Sequence, residues 1–149
     1  MAYEHIRISK QELDRIYSDF ASIDRSLGIR VKDSERIELA RRSGGQIVVY
    51  ASGLVEYELF YISDLWVSER LRGRGEGSSI LKALELEAAA KGCKEAYLWT
   101  AGEANARFYR KNGYTEFVRF EDCMGVSGHH RYGLRKRLRR FDNVVTEQL

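Results

Sequence analysis

Asp64-Leu65-Trp66-Val67-Ser68-Glu69-Arg70-Leu71-Arg72-Gly73-Arg74-Gly75-Glu76-Gly77-Ser78-Ser79-Ile80-Leu81 runs from an apolar, strand-like stretch through a turn rich in glycine and arginine into a helix. The helix is read from Ile80, Leu81, Leu84 and Ala88, which share one face at helical spacing, and from Lys91-Gly92, a favourable C-terminal stop. A turn of this composition suits a phosphate. Glycines at alternate positions expose backbone N–H groups, and the following helix adds unpaired donors and the positive end of its dipole. A pyrophosphate is the expected guest.

Spacing separates the candidate loops. The dinucleotide fingerprint requires G-x-G-x-x-G, but after Gly73 and Gly75 its last glycine position holds Ser78. The G-K-[ST] ending of a P-loop is missing too. The pattern R-x-x-G-x-G does fit, as Arg72-Gly73-Arg74-Gly75-Glu76-Gly77. Further along, Ala104-Asn105-Ala106-Arg107-Phe108-Tyr109-Arg110-Lys111-Asn112-Gly113-Tyr114 reads as a short helix closed by a glycine and followed by a strand, with Ala96-Tyr97-Leu98-Trp99-Thr100 as a buried strand before it.

These two motifs, in this order, resemble the signatures of the GCN5-related N-acetyltransferase (GNAT) family: the R-x-x-G-x-G coenzyme A loop, then a helix carrying F-Y or L-Y, a basic turn and G-F or G-Y. The resemblance covers roughly residues 46 to 137. It implies an α/β fold with a central mixed, mostly antiparallel, twisted sheet of about six to seven strands flanked by helices. Two central parallel strands would splay apart in that sheet. Gly128-His129-His130-Arg131-Tyr132-Gly133-Leu134-Arg135-Lys136-Arg137-Leu138 is also similar to the G-H-x-R-Y-x-L-x-K-x-L ending of small bacterial members with unassigned substrates.

What the resemblance implies about chemistry is acetyl transfer from acetyl-CoA to a primary amine, by direct attack through a tetrahedral intermediate. The reaction needs a neutral amine, stabilisation of an oxyanion and a proton for the departing thiolate. Coenzyme A is expected along Leu65, Trp66 and Val67, whose backbone would hold the pantetheine arm, and at Arg72, Gly73, Arg74, Gly75, Glu76, Gly77 and Ser78. Asn105, one helical turn before Tyr109, could bond the same arm. Tyr109 aligns with the family's tyrosine; a phenol of pKa about 10 stays protonated at neutral pH and can donate to a thiolate whose conjugate acid is near 8.5. The same ring could instead be one half of an aromatic core pair with Phe108. Asp64 is the leading candidate base, with Glu58, Glu56 and Glu103 behind it; His129 and His130 have suitable side chains but read more simply as loop residues.

Composition bounds the alternatives. At 149 residues, 44% hydrophobic and 32% charged, the chain reads as a single domain, 1–149, with a tail at 141–149 expected to be disordered. No stretch has the length of a membrane-spanning helix and Met1-Ala2-Tyr3-Glu4-His5 lacks signal-peptide layout, so a cytoplasmic location is expected. Cys93 and Cys123 form no C-x-x-C pair and no histidines stand at zinc spacing, which favours free thiols and gives no metal site. Net charge is +3, and Arg131, Arg135, Lys136, Arg137, Arg139 and Arg140 crowd the C-terminal segment. Nucleic acid is not the expected partner, because aromatic residues are not interleaved with that basic run. A small-molecule amine is expected, and a homodimer is left open. Two other functions share the motifs: a protein lysine or N-terminal acetyltransferase, and a non-catalytic coenzyme A binding module.

The remaining elements are read from local signals. Ser9-Lys10-Gln11-Glu12 has capping-box form, apolar residues from Leu13 to Ile23 continue at helical spacing, and Gly28 supplies a stop. The resemblance makes this helix and the loop over 26–35 one wall of the acceptor site. A half-exposed strand around Ile37 and Leu39, a hairpin at Gly44-Gly45 and a strand over Gln46–Ser52 come next. One longer strand is expected from Glu56 through Val67, and a last pair over Thr115–Phe120 and His130–Arg137.

Overall fold

A computed structural model of the chain describes residues 2–139. Arg140 and the tail expected at 141–149 lie outside the described residues. The residues up to Asp33 and those from Ser34 onward form two compact units.

The first unit carries α1 (Lys10–Ser26). Its capping box is formed: Ser9 Oγ accepts from the Glu12 N–H at 3.2 Å, and Glu12 Oε2 accepts from the Ser9 N–H at 2.9 Å. The Ser9 hydroxyl, which also donates to Glu12 Oε2, and then the Ser9 N–H hold the Glu12 carboxyl below its usual range. Gly28 comes next with φ of 76°, the left-handed conformation a helix stop favours.

The second unit is a six-stranded sheet with α2 and α3. Its strands are β1 (Glu35–Ser43), β2 (Gln46–Glu56), β3 (Leu59–Val67), β4 (Glu95–Ala101), β5 (Thr115–Phe120) and β6 (Arg131–Arg137), in the order β1-β2-β3-β4-β6-β5. Only β3 and β4 are parallel. The helices are α2 (Glu76–Ala90) and α3 (Glu103–Lys111), with a single 3₁₀ turn at Glu69–Leu71 ahead of α2. Leu81, Leu84 and Ala88 of α2 and Ala106 and Tyr109 of α3 pack with Ile37, Ala51, Phe60, Ile62, Leu98 and Leu134 in one buried cluster, so both helices cover the same sheet face. Beneath them Glu85, buried on α2, accepts from Tyr114 Oη at 3.1 Å and from Lys136 Nζ at 2.7 Å.

The expected strand from Glu56 through Val67 is corrected: the chain turns at Tyr57-Glu58, so β2 runs on to Glu56 and β3 starts at Leu59. The turn places Tyr57 at φ of 56°, a conformation that side chains other than Gly, Asn and Asp seldom adopt. The sequence carries none of the usual residues at that point, which is why the turn is not visible in it.

β3 departs from a regular strand on both of its edges. Opposite β2 its register slips: Asp64 pairs with Ser52 but Ile62 with Gly53, leaving Ser63 as an extra residue. This bulge reverses the alternation, so that Phe60 and Ile62 before it and Leu65 after it all face the helices, while Asp64 and Trp66 turn to the other face. Opposite β4, pairing stops at Tyr61 with Tyr97, although β3 continues to Val67 and β4 to Ala101. The central parallel strands therefore splay.

Candidate functional site

The splay leaves backbone groups of β3 facing a gap. Ser68 N–H donates to Val48 O at 2.8 Å, and by antiparallel alternation Trp66 also turns its backbone groups to β2. Leu65 and Val67 then direct theirs to the side where β4 has departed. The Val67 carbonyl accepts from Arg72 Nε at 3.1 Å, which ties the end of the strand to the glycine-rich turn.

That turn uses its glycines in two ways. Gly73 and Gly75 have φ of 73° and 82°, and a Cβ at either would meet nothing within 4 Å; the backbone conformation, not crowding, calls for glycine there. Gly77, inside the first turn of α2, is the opposite case, because a Cβ there would lie 3.2 Å from the Phe108 ring of α3. The first bond at the helix start runs from Ser79 N–H to Gly75 O at 3.0 Å, so the N–H groups of Glu76, Gly77 and Ser78 have no partner within the helix.

These pieces enclose a cavity of about 780 Å³. Leu65, Trp66 and Val67 of β3, Leu71, Arg72, Gly73 and Gly75 of the turn, Glu76, Gly77 and Ser78 of α2, Thr100 of β4, and Asn105, Phe108 and Tyr109 of α3 line it. Of the residues expected to bind coenzyme A, only Arg74 is not among the lining residues. Leu71, Thr100 and Phe108 line it without having been expected. Asn105 Nδ2 donates to Ala101 O at 2.9 Å, which leaves its side-chain oxygen available. Tyr109 is 9% exposed and packs edge-on against Phe108 and Tyr114. Among the described residues its hydroxyl has no hydrogen-bond partner, and burial pushes its pKa up to about 12. It is both a core aromatic and a lining residue.

A family model described as the acetyltransferase (GNAT) domain matches residues 33–116, a span that runs from the start of the sheet through the turn, α2, β4 and α3. The chain belongs to the GNAT acetyltransferases. No curated protein matches the sequence. Solved structures do match. One, an acetyltransferase from Bacillus cereus ATCC 14579, is 28% identical with a TM-score of 0.71, over 91% of this chain and 98% of that one. A protein from Agrobacterium tumefaciens assigned as an acetyltransferase is 22% identical with a TM-score of 0.74, over 92% and 99% of the two chains. An aminoglycoside 6'-N-acetyltransferase complexed with coenzyme A shares the fold at 17% identity and a TM-score of 0.63, over 92% and 96%.

As a GNAT acetyltransferase the chain is an acyltransferase whose donor is acetyl-CoA. The cavity's residues fit that group. Unpartnered N–H groups at the start of α2 and the open positions beside Gly73 and Gly75 could take the diphosphate, and the backbone of Leu65 and Val67 could take the amides of the pantetheine arm. No helix among the described residues is long and apolar enough to cross a membrane.

The acids expected as bases occupy different places. Asp64 is exposed on the face away from the helices and does not line the cavity; its Oδ2 accepts from Ser52 Oγ at 2.7 Å. Ser52 is fully buried and meets Ser63 Oγ at 2.9 Å, and Arg36 Nη1 reaches both hydroxyls at 3.3 Å. Glu103 opens α3 and accepts from Tyr132 Oη at 2.9 Å and Arg110 Nη1 at 2.8 Å, bonds that hold its carboxyl low. Glu56 ends β2, and Glu58 pairs with Lys94 at 2.8 Å. His130 Nδ1 accepts from the Asp122 N–H at 3.2 Å, and the His129 ring lies against Gly102.

Proposed function

We propose that the chain moves the acetyl group of acetyl-CoA to the primary amine of a small molecule, in the cytoplasm, with Tyr109 as general acid and Asp64 as the group that receives or orients the amine proton. Acetyl-CoA, when bound, supplies an activated thioester. The observation that carries the reading is the place of Tyr109: a residue whose hydroxyl has no partner among the described residues, lining the cavity that Leu65 and Val67 also line. Its raised pKa keeps that proton in place through neutral and mildly alkaline pH.

The strands' splay supports a division of labour between faces. The turn and the start of α2 belong to the helix-covered face, whereas Asp64 belongs to the other, and the stretch where β3 and β4 no longer pair is where an acceptor amine would have to meet both. A carboxylate is suited to attract an ammonium and to draw off its proton once the amine is placed. Ser52 fixes the orientation of the Asp64 carboxylate by its hydrogen bond, and Arg36 in turn bonds Ser52.

Asp64→Asn tests the assignment. Acetylation of an amine with high pKa should fall more than acetylation of one of similar shape that is already neutral at the assay pH. An identical fractional loss for both, with no shift in the pH profile, would remove Asp64 from the mechanism and move the search to Glu58 and Glu103. An amine panel with detection of released thiol tests the function itself; coenzyme A binding without turnover on any amine would make the chain a binding module.

A further inference from the structure

Glu76, one of the residues lining the cavity, brings a carboxylate to the first turn of the helix whose free N–H groups are suited to the diphosphate. An unneutralised carboxylate there opposes a phosphate group through like charge. One basic residue from a distant strand answers it: Arg41 Nη1 of β1 stands 2.7 Å from Glu76 Oε1. Arg41 reaches this point because it continues the alternation of Ile37 and Leu39, the β1 residues that face the helices. The β1–β2 register also slips beside it, Arg41 pairing with Val49 and Arg42 with Ile47.

A purely structural role for the pair is weak. The Arg41 side chain is 52% exposed and that of Glu76 22%, and ion pairs of this exposure contribute little to stability. We infer that Arg41 is a positioning residue of the coenzyme site: by pairing with Glu76 it cancels the carboxylate's charge and draws it away from the diphosphate, so that the N–H groups of α2 meet the phosphates unopposed. The inference rests on reading the cavity as the coenzyme A site. It assigns a binding contribution to a strand that supplies no residue to the cavity wall.

Calorimetric titration with coenzyme A decides it. Arg41→Gln should weaken binding about tenfold, and by less as ionic strength rises. Glu76→Gln should bind at least as tightly as the natural chain, and in that background Arg41→Gln should cost no more than about twofold. Pantetheine, which lacks the diphosphate, should lose no more than about twofold from Arg41→Gln when it is titrated as a competitor. Unchanged coenzyme A affinity in Arg41→Gln, an equal loss in the Glu76→Gln background, or an equal loss for pantetheine would each overturn the inference. Gly75→Val separates this from the underlying reading: if it leaves binding intact the cavity is not the coenzyme site, whereas if it abolishes binding and Arg41→Gln does nothing, only the role of Arg41 falls.

Discussion

The two helices of the sheet unit begin alike and differ in what stands at their first turn. Each is reached from a strand through a glycine of positive φ, Gly75 before α2 and Gly102 before α3, and neither glycine has a side chain to cap the helix. At α2 the space beside the glycine is open and the free N–H groups face a cavity. At α3 the corresponding space is filled: a Cβ on Gly102 would come within 2.8 Å of the His129 ring, and the Gly102 N–H is already bonded to His130 O at 3.0 Å. A strand, a glycine and a helix are thus not enough to leave a helix start open to a cavity. The surroundings of the glycine decide, and α3 meets the cavity at Asn105, Phe108 and Tyr109, not at its N-terminus.

The largest effect that sharpens this contrast concerns the side chains of α3. Tyr109→Phe keeps the ring and removes the proton donor, and should lower kcat by about 10²–10³-fold with thermal unfolding nearly unchanged. Turnover equal to that of the natural chain would leave α3 with packing as its whole contribution. For α2, Gly75→Val forces a β-branched residue into φ of 82°, and should weaken coenzyme A by about 10²-fold, whereas Glu76→Gln should not weaken it. Equal affinities by calorimetry would erase the distinction between the two helix starts.

Gly102→Ala should do the reverse. With φ of 85° and His129 in the way, the change should cost roughly 2–3 kcal/mol in chemical denaturation. Coenzyme A affinity should stay as it is; a parallel loss of affinity would mean that the start of α3 belongs to the site after all.

The smallest effect is a pH dependence. Burial raises the Tyr109 pKa to about 12, so the folded chain keeps a proton that the unfolded chain begins to lose near pH 10. The stabilisation is complete below about pH 10 and fades as pH climbs towards 12, by about 1–2 kcal/mol. Tyr114, raised by burial and by its contact with Glu85, acts in the same direction. Unfolding free energies measured across that range should fall less steeply for Tyr109→Phe than for the natural chain; identical slopes would deny that the Tyr109 hydroxyl is held in a desolvated place.

Much of this was legible in the sequence because it is written in local signals. Ser9 and Glu12, the Gly44-Gly45 hairpin, the glycines of the turn, and the spacing of Asn105 and Tyr109 all act within a few residues of themselves. Three things are set across strands and so escape such reading. The turn at Tyr57-Glu58 lacks a turn residue, the bulge at Ser63 depends on the register of β2, and the meeting of Arg41 with Glu76 depends on where β1 lies over α2. For the same reason plain alternation counted from Phe60 and Ile62 would turn Asp64 towards the helices and Leu65 away, and the bulge does the opposite.

The extra residue in β3 also governs how the strand can change. Ser63 acts as a phase shifter between two half-strands, one spelling core at even positions and the other at odd ones. In an ordinary strand the loss of one residue inverts every later position. Here the loss of Ser63 would leave plain alternation, with Phe60, Ile62 and Leu65 still under the helices and Asp64 and Trp66 still outside. Loss of a neighbour such as Asp64 would keep the pairing only if Ser63 took its place opposite Ser52, a serine standing where the carboxylate had been. The bulge is thus the point at which β3 can shorten by one codon without exchanging its faces.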